Sequence, residues 1–221
     1  MTTVIVSRYA VVVDVRQETQ TKGSGAQEPA RDRIVRSAAA LVRERGVHGV
    51  GLRQIVAHAD GPRGSLQRYF PGGKTQLMTE ALRLAGAEVL DHTKSRLIEA
   101  ATPGEAIDAI FAPWRQVLIE SNFTMGCPFA ATVVDASGDD RLRQEASALL
   151  DQWCDSIRAA FVELGVQGST AKDEASVLLA ALEGALILSR AKQSPQPLDT
   201  VQRFFTTWLA QATATPAAPS S

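Results

Sequence analysis

The stretch Phe70-Pro71-Gly72-Gly73-Lys74-Thr75 carries the residue types that bind phosphate. A nucleotide-binding P-loop needs a glycine, four spacers and then Gly-Lys-Ser/Thr, so that backbone N–H groups wrap the phosphates. Counting back from Gly73, the leading glycine should fall at position 68, which is Arg68. The preceding residues, Arg63 to Tyr69, also lack the β-branched run of a buried strand. Nucleotide hydrolysis is therefore set aside. Lys74 behind two glycines, at the start of a long helical pattern, remains a candidate for a phosphate of another kind.

Other reactive residues are sparse. His48, His58 and His92 are scattered, and no His/Cys/acid set has metal-ligand spacing. The two cysteines, Cys127 and Cys154, make no disulfide framework. Cys127, directly before Pro128, reads either as a reactive thiol or as a small buried residue at a helix start. A thiol enzyme would need a base, and residues 93–221 contain no histidine. No catalytic set, metal site or cofactor is expected.

The chain has 221 residues, 45% of them hydrophobic, enough for a sizeable core in one or two domains. No apolar run approaches the ~20 residues of a membrane span, and no signal peptide is read at the N-terminus. A cytoplasmic protein with reduced thiols is the expectation. The net charge of −1 is unevenly spread. Residues 31–74 hold nine Arg or Lys against three acidic residues, while the remainder is acidic. A basic block beside an acidic body is the footprint of a nucleic-acid-binding head, or of a solvated charged face.

Periodicity supplies the elements that must position these residues. Ile34, Ala38, Leu41 and Val42 line one face of a helix that Gly46 can end. Leu52, Ile55, Val56 and Ala59 repeat that spacing over barely two turns. Asp60-Gly61-Pro62 breaks the pattern, and Leu66, Tyr69 and Phe70 mark a further short helix. A long helix runs from Lys74 to about Ala100, followed by helices at roughly 103–120, 128–136, 139–165, 170–193 and 197–211. The chain reads as all-α. A flexible extension (1–30, with one strand-like segment) precedes a helix-turn-helix head (31–76). A larger helical body (77–212) and a tail (213–221) follow. In such a head the second helix can enter the major groove. Leu52, Ile55, Val56, Leu66 and Phe70 are expected inside, and Arg63, Ser65, Gln67 and Arg68 outside.

The run Gly51–Leu77, read with the helix from Ile34, resembles the DNA-binding domain of the TetR family of transcriptional regulators. The wording around Pro62–Leu66 and Phe70–Lys74, and Gly126-Cys127-Pro128 further on, is most similar to the LmrA/YxaF-type subgroup. The resemblance implies a homodimeric, ligand-responsive repressor of a double-stranded DNA operator. It places Lys74 on a DNA phosphate at the start of the long helix. It assigns Arg63, Gly64 and Ser65 to the start of the recognition helix, with Gln67 and Arg68 on it. Tyr69 would face the DNA backbone, and Arg53 and Gln54 would lie near the DNA. Three positions depart from the family pattern: Gln67 for Tyr, Val50 for Thr, and Asp60 for the Gly of the turn. Asp tolerates the left-handed conformation better than most residues.

The middle of the body gathers Phe111, Trp114, Phe123, Met125, Phe129 and Trp153 in a chain poor in aromatics. With Cys127 they are the candidate lining of a pocket for an apolar or planar effector, plain core being the other reading. A helical enzyme with a solvated basic face, and a DNA-binding protein without an effector, are the competing function classes. Two apolar helices, Ala175–Ala191 and Val201–Ala212, are expected to form a four-helix dimer contact.

Overall fold

A computed structural model describes residues 28–62, 64–136 and 138–214; the side chain of Ser65 is likewise outside the description. Most of the expected N-terminal extension, and residues 215–221 of the tail, lie outside the described residues.

The described residues are all-α, in nine helices. The order is α1 (Ala30–Arg45), α2 (Leu52–His58), α3 (Ser65–Tyr69), α4 (Gly73–Glu99), α5 (Pro103–Glu120), α6 (Pro128–Asp135), α7 (Asp140–Glu163), α8 (Gly168–Lys192) and α9 (Gln196–Ala214). None is long and apolar enough to cross a membrane.

Local chemistry sets several boundaries. Thr102 opens α5 through a capping box: its hydroxyl accepts from the Glu105 N–H, and the Glu105 carboxylate accepts from the Thr102 N–H. Pro103 then fills the first helical position, where no N–H is needed. At the end of α2, Asp60 turns left-handed with φ 48°. The Gly61 N–H reaches back to the Val56 carbonyl at 2.9 Å, closing the helix. Arg33 braces this turn by donating to the carbonyls of Ala59 and Asp60.

In the first three helices, Ile34, Ala38, Leu41, Ile55, Val56 and Phe70 are buried and Leu52 and Leu66 partly so, the division read from periodicity. Val50 belongs to this core rather than to the surface. The long α4 packs on α1 at its start and on α7 along its length. A Cβ at Gly86 would lie 2.5 Å from the Leu149 side chain, so glycine lets these two helices approach closely. Helices α7, α8 and α9 pack in succession, with α5 against α9. One continuous apolar core runs from Ile34 to Leu209.

Candidate nucleic-acid interface and body cleft

The surface of α2 and α3 presents polar side chains opposite the buried apolar ones. Arg53, Gln54, Gln67 and Arg68 are exposed, as is Gly64 before α3. Arg63 lies outside the described residues. Gln54 also acts locally, since its side-chain oxygen accepts from the Gly51 N–H at 3.0 Å and so caps α2. The Arg68 guanidinium lies 5.0 Å from the centroid of the Tyr69 ring and donates to its hydroxyl. Tyr69, half-buried, packs edge-on against Phe70.

The start of α4 is held from several sides. The Gln76 side chain accepts from the Gly72 N–H at 2.8 Å and donates to Glu80. Glu80 in turn receives Arg31, whose guanidinium also lies over the Phe70 ring. Lys74 is the second residue of α4, whose N-cap, Gly72, has no side chain to bond the first-turn N–H groups. Its first-turn N–H groups and the positive end of the helix dipole therefore sit beside an ammonium.

Two contacts tie this region to the body. The Thr75 hydroxyl donates to Asp139 at 2.7 Å, while the same carboxylate caps α7 by accepting from the Leu142 N–H. The hydrogen bond from Thr75 holds the Asp139 carboxyl below its ordinary range. The Gly126 N–H donates to the Arg43 carbonyl near the end of α1.

Of the aromatic candidates in the body, Phe111, Trp114, Phe129 and Trp153 are buried. The Trp153 ring contacts both Trp114, at 5.6 Å between centroids, and Phe129, at 6.4 Å. Phe123 and Met125 are half-buried in the loop between α5 and α6. That loop turns through two consecutive left-handed residues, Asn122 and Phe123, and Phe123 is too bulky to adopt φ 60° without strain. Cys127 is buried beside the Glu183 carboxyl of α8. Burial and that carboxyl together push the thiol well up, so it is a poor nucleophile. Burial likewise pushes Glu183 up to about 7. The sequence marks Glu183 only as an exception in an apolar helix.

A cleft of about 280 Å³, counting the open space at its mouth, lies between α4 and α5. Val89, His92 and Thr93 line it from α4, Trp114 and Val117 from α5, and Arg43 from α1. Only Trp114 among the seven expected pocket residues reaches it. The sequence presents Arg43 as one charge in a basic block. It is instead buried, with its guanidinium 5.8 Å from the centroid of the Trp114 ring. The signal is there to be found: Val35, Ala39 and Arg43 share one stripe at steps of four, and the first two are core.

Sequence and structure comparisons agree with this geometry. Residues 34–81 match the model of bacterial regulatory proteins of the TetR family. Residues 103–204 match the C-terminal domain of LmrA/YxaF-like transcriptional regulators. An HTH-type transcriptional regulator of Mycobacterium tuberculosis is 38% identical over 180 residues, covering 78% of this chain and 90% of the relative. The HTH-type transcriptional regulator LmrA of Bacillus subtilis is 28% identical over 173 residues, covering 76% and 90%. A TetR transcriptional regulator from Legionella pneumophila has the same fold, with TM-score 0.76 at 16% identity, over 83% of this chain and 99% of that one. The chain belongs to the TetR family of helix-turn-helix, DNA-binding transcriptional regulators. Within it, the C-terminal half is of the LmrA/YxaF-like type.

Proposed function

We propose that the protein is a ligand-responsive repressor: a homodimer that holds a pseudo-palindromic operator and releases it when a small apolar or aromatic molecule enters the body. The head would span residues 31–76 and the effector-binding and dimerisation body 77–212. The observation that carries the DNA part is the sidedness of the head. Ile55, Val56 and Phe70 are buried, while Arg53, Gln67 and Arg68 face out, and Lys74 stands at the start of α4, where the N-cap is a glycine. Gln67 and Arg68, with Arg63 and Ser65, are assigned to the groove. Lys74, Tyr69 and Arg53 are assigned to phosphates, with Gln54 and Gly64 flanking them. Lys74 at a helix start suits a DNA phosphate for the same physical reason that such ends bind anions in general.

The effector part is supported by the ring cluster. Among the described residues, the buried Trp153 indole N–H has no hydrogen-bond partner, although its ring packs against Trp114 and Phe129. An unmade buried hydrogen bond costs ~1–3 kcal/mol. A planar ligand with an acceptor atom would relieve that cost among Phe111, Trp114, Phe129 and Trp153, with Phe123, Met125 and Cys127 alongside. It shifts DNA affinity only as far as it prefers one conformation over the other. The test is fluorescence anisotropy of the purified protein on DNA from its own upstream region against scrambled DNA at moderate salt. Preferential binding that planar apolar compounds reverse is expected. Equal affinity for both DNAs would overturn the repressor reading.

A further inference from the structure

We infer that the effector is a small planar carboxylate, stacked on Trp114 in the cleft between α4 and α5, with its carboxylate on the guanidinium of Arg43. This rests on the reading of the chain as an effector-gated repressor, moves the effector from the buried ring cluster to the cleft that Trp114 shares with it, and names the ligand class and the residue that selects it.

The cleft combines two features that suit such a molecule. Its walls are apolar where a ring would lie: Val89 on one side, Val117 and the face of Trp114 on the other. The cleft is shallow, its space of about 280 Å³ including open solvent at the mouth, so a ligand of one or two rings would part the walls as it enters. Its cation is an arginine, whose planar fork matches a carboxylate with two parallel hydrogen bonds. The guanidinium already lies against the ring of Trp114, so an acid bound to it is directed along that aromatic face.

The surrounding charges favour an incoming anion. Burial lowers the pKa of Arg43, which means its charge is held at a cost that a carboxylate in the cleft would offset. The neighbouring acid, Glu88, is pushed above the ordinary carboxylate range by burial, even beside Arg43 and Arg36. It is a weakened counter-ion that a stronger acid can displace. His92, at the cleft, is shifted down by burial and by Arg96, so at neutral pH it offers a neutral imidazole rather than a second cation. Arg96 itself faces Asp108. One cation, one weakened acid and one neutral ring leave Arg43 as the selecting charge.

The consequence reaches the head directly. Arg43 belongs to α1, the helix on which Ile55 and Val56 of the DNA-reading unit pack, and its carbonyl receives the Gly126 N–H of the body. A ligand held by this side chain bears on a head helix without an intermediate element.

The experiment compares 2-naphthoate with 2-naphthamide, equal in shape and differing in charge. Binding is measured by calorimetry on the full chain, and operator release by anisotropy. The naphthoate is expected to bind at least tenfold more tightly than the amide, and Arg43→Gln to erase that ratio. Because Arg43 is buried, thermal melts accompany the variant. If it does not fold, Trp114→Leu is the second arm, expected to weaken both compounds while the ratio survives. Equal binding of acid and amide, or an unchanged ratio in folded Arg43→Gln, overturns the inference. If neutral planar compounds bind and release DNA while the acid does not, the inference fails and the repressor reading stands. If the acid binds through Arg43 and DNA is never released, the ligand class stands and the repressor reading fails.

Discussion

The backbone N–H of His48 donates to the Asp135 carboxylate at 2.6 Å, joining the loop after α1 to the last residue of α6. The two residues stand 87 positions apart, one in the DNA-reading part and one in the body. Gly46 completes the contact. It has φ 72° and ψ 176°, a region open essentially to glycine, and an added Cβ would lie 2.6 Å from the same carboxylate oxygen. Backbone and side chain are thus fitted to each other at this junction.

Removing the acceptor tests the junction. Asp135→Ala should cost about 0.5–1.5 kcal/mol, the net worth of a hydrogen bond at an exposed site where water can take over the N–H. Gly46→Ala should cost about 1–3 kcal/mol through backbone strain and contact with Asp135. Asp135→Asn keeps an acceptor and should lose less. Thermal melting of the three variants checks the order; Asp135→Ala as stable as the parent chain would refute it.

Lys74 and Gln67 should fail in different ways. A phosphate contact adds to the salt dependence of binding by about 0.9 per site, so Lys74→Ala in a dimer should flatten the slope by ~2. It should weaken binding to all sequences alike. Gln67→Ala should instead relax preference at particular operator positions with little change in slope. Anisotropy titrations at several salt concentrations separate the two. An unchanged slope for Lys74→Ala removes it from the phosphate contacts.

Much of the fold is legible in the sequence because its helices repeat apolar residues at steps of three and four. Ile34, Ala38 and Leu41, or Leu178, Leu182 and Leu186, fall inside for that reason. The turn at Asp60 is legible through its chemistry, since a short polar side chain tolerates φ 48°. Contacts between helices are not. That Trp153 meets Trp114 and Phe129, or that Cys127 faces Glu183, depends on helix packing over long separations, which no local pattern encodes. Arg43 misleads for a related reason: its type signals the surface, and only its place on the stripe after Val35 and Ala39 signals burial.

Glu183 gives the protein a pH dependence opposite in sign to that of a paired surface acid. An unfolded chain holds this carboxyl near the ordinary ~4.3, while burial in the fold raises it to about 7. Between those values the unfolded chain has lost a proton that the folded chain retains, so stability falls as pH rises from about 4 to 7 and then levels. The loss is at most ~4 kcal/mol by that difference. Glu183→Gln should abolish the decline and raise the melting temperature at pH 8. A variant whose pH profile parallels that of the parent chain would show that Glu183 is not the group responsible.

The last prediction concerns assembly. On α9, Phe205 and Leu209 turn into the core, whereas Phe204 is 64% exposed. On α8, Val177, Ala181, Gly184 and Leu188 follow steps of four, three and four along one stripe, and Val177 is 60% exposed. Ile187 adds to the exposed apolar surface. Surface of this kind on two adjacent helices suits a two-fold contact in which the same patch serves both subunits. A palindromic operator demands such a dimer, because its half-sites lie about one DNA turn, ~34 Å, apart. Gly184 is the position to alter. Among the described residues, nothing beyond the neighbouring helix backbone lies within 4 Å of an added Cβ, so one subunit can accept a side chain there. Arginine is also the better helix former by several tenths of a kcal/mol or more. Gly184→Arg should therefore fold with unchanged or higher helicity, yet place a bulky charge against the second subunit. Light scattering should report a dimer for the parent chain and a monomer for the variant, with operator affinity falling at least tenfold. A monomeric parent chain at micromolar concentration, or a dimeric variant with full affinity, would remove this face from the interface.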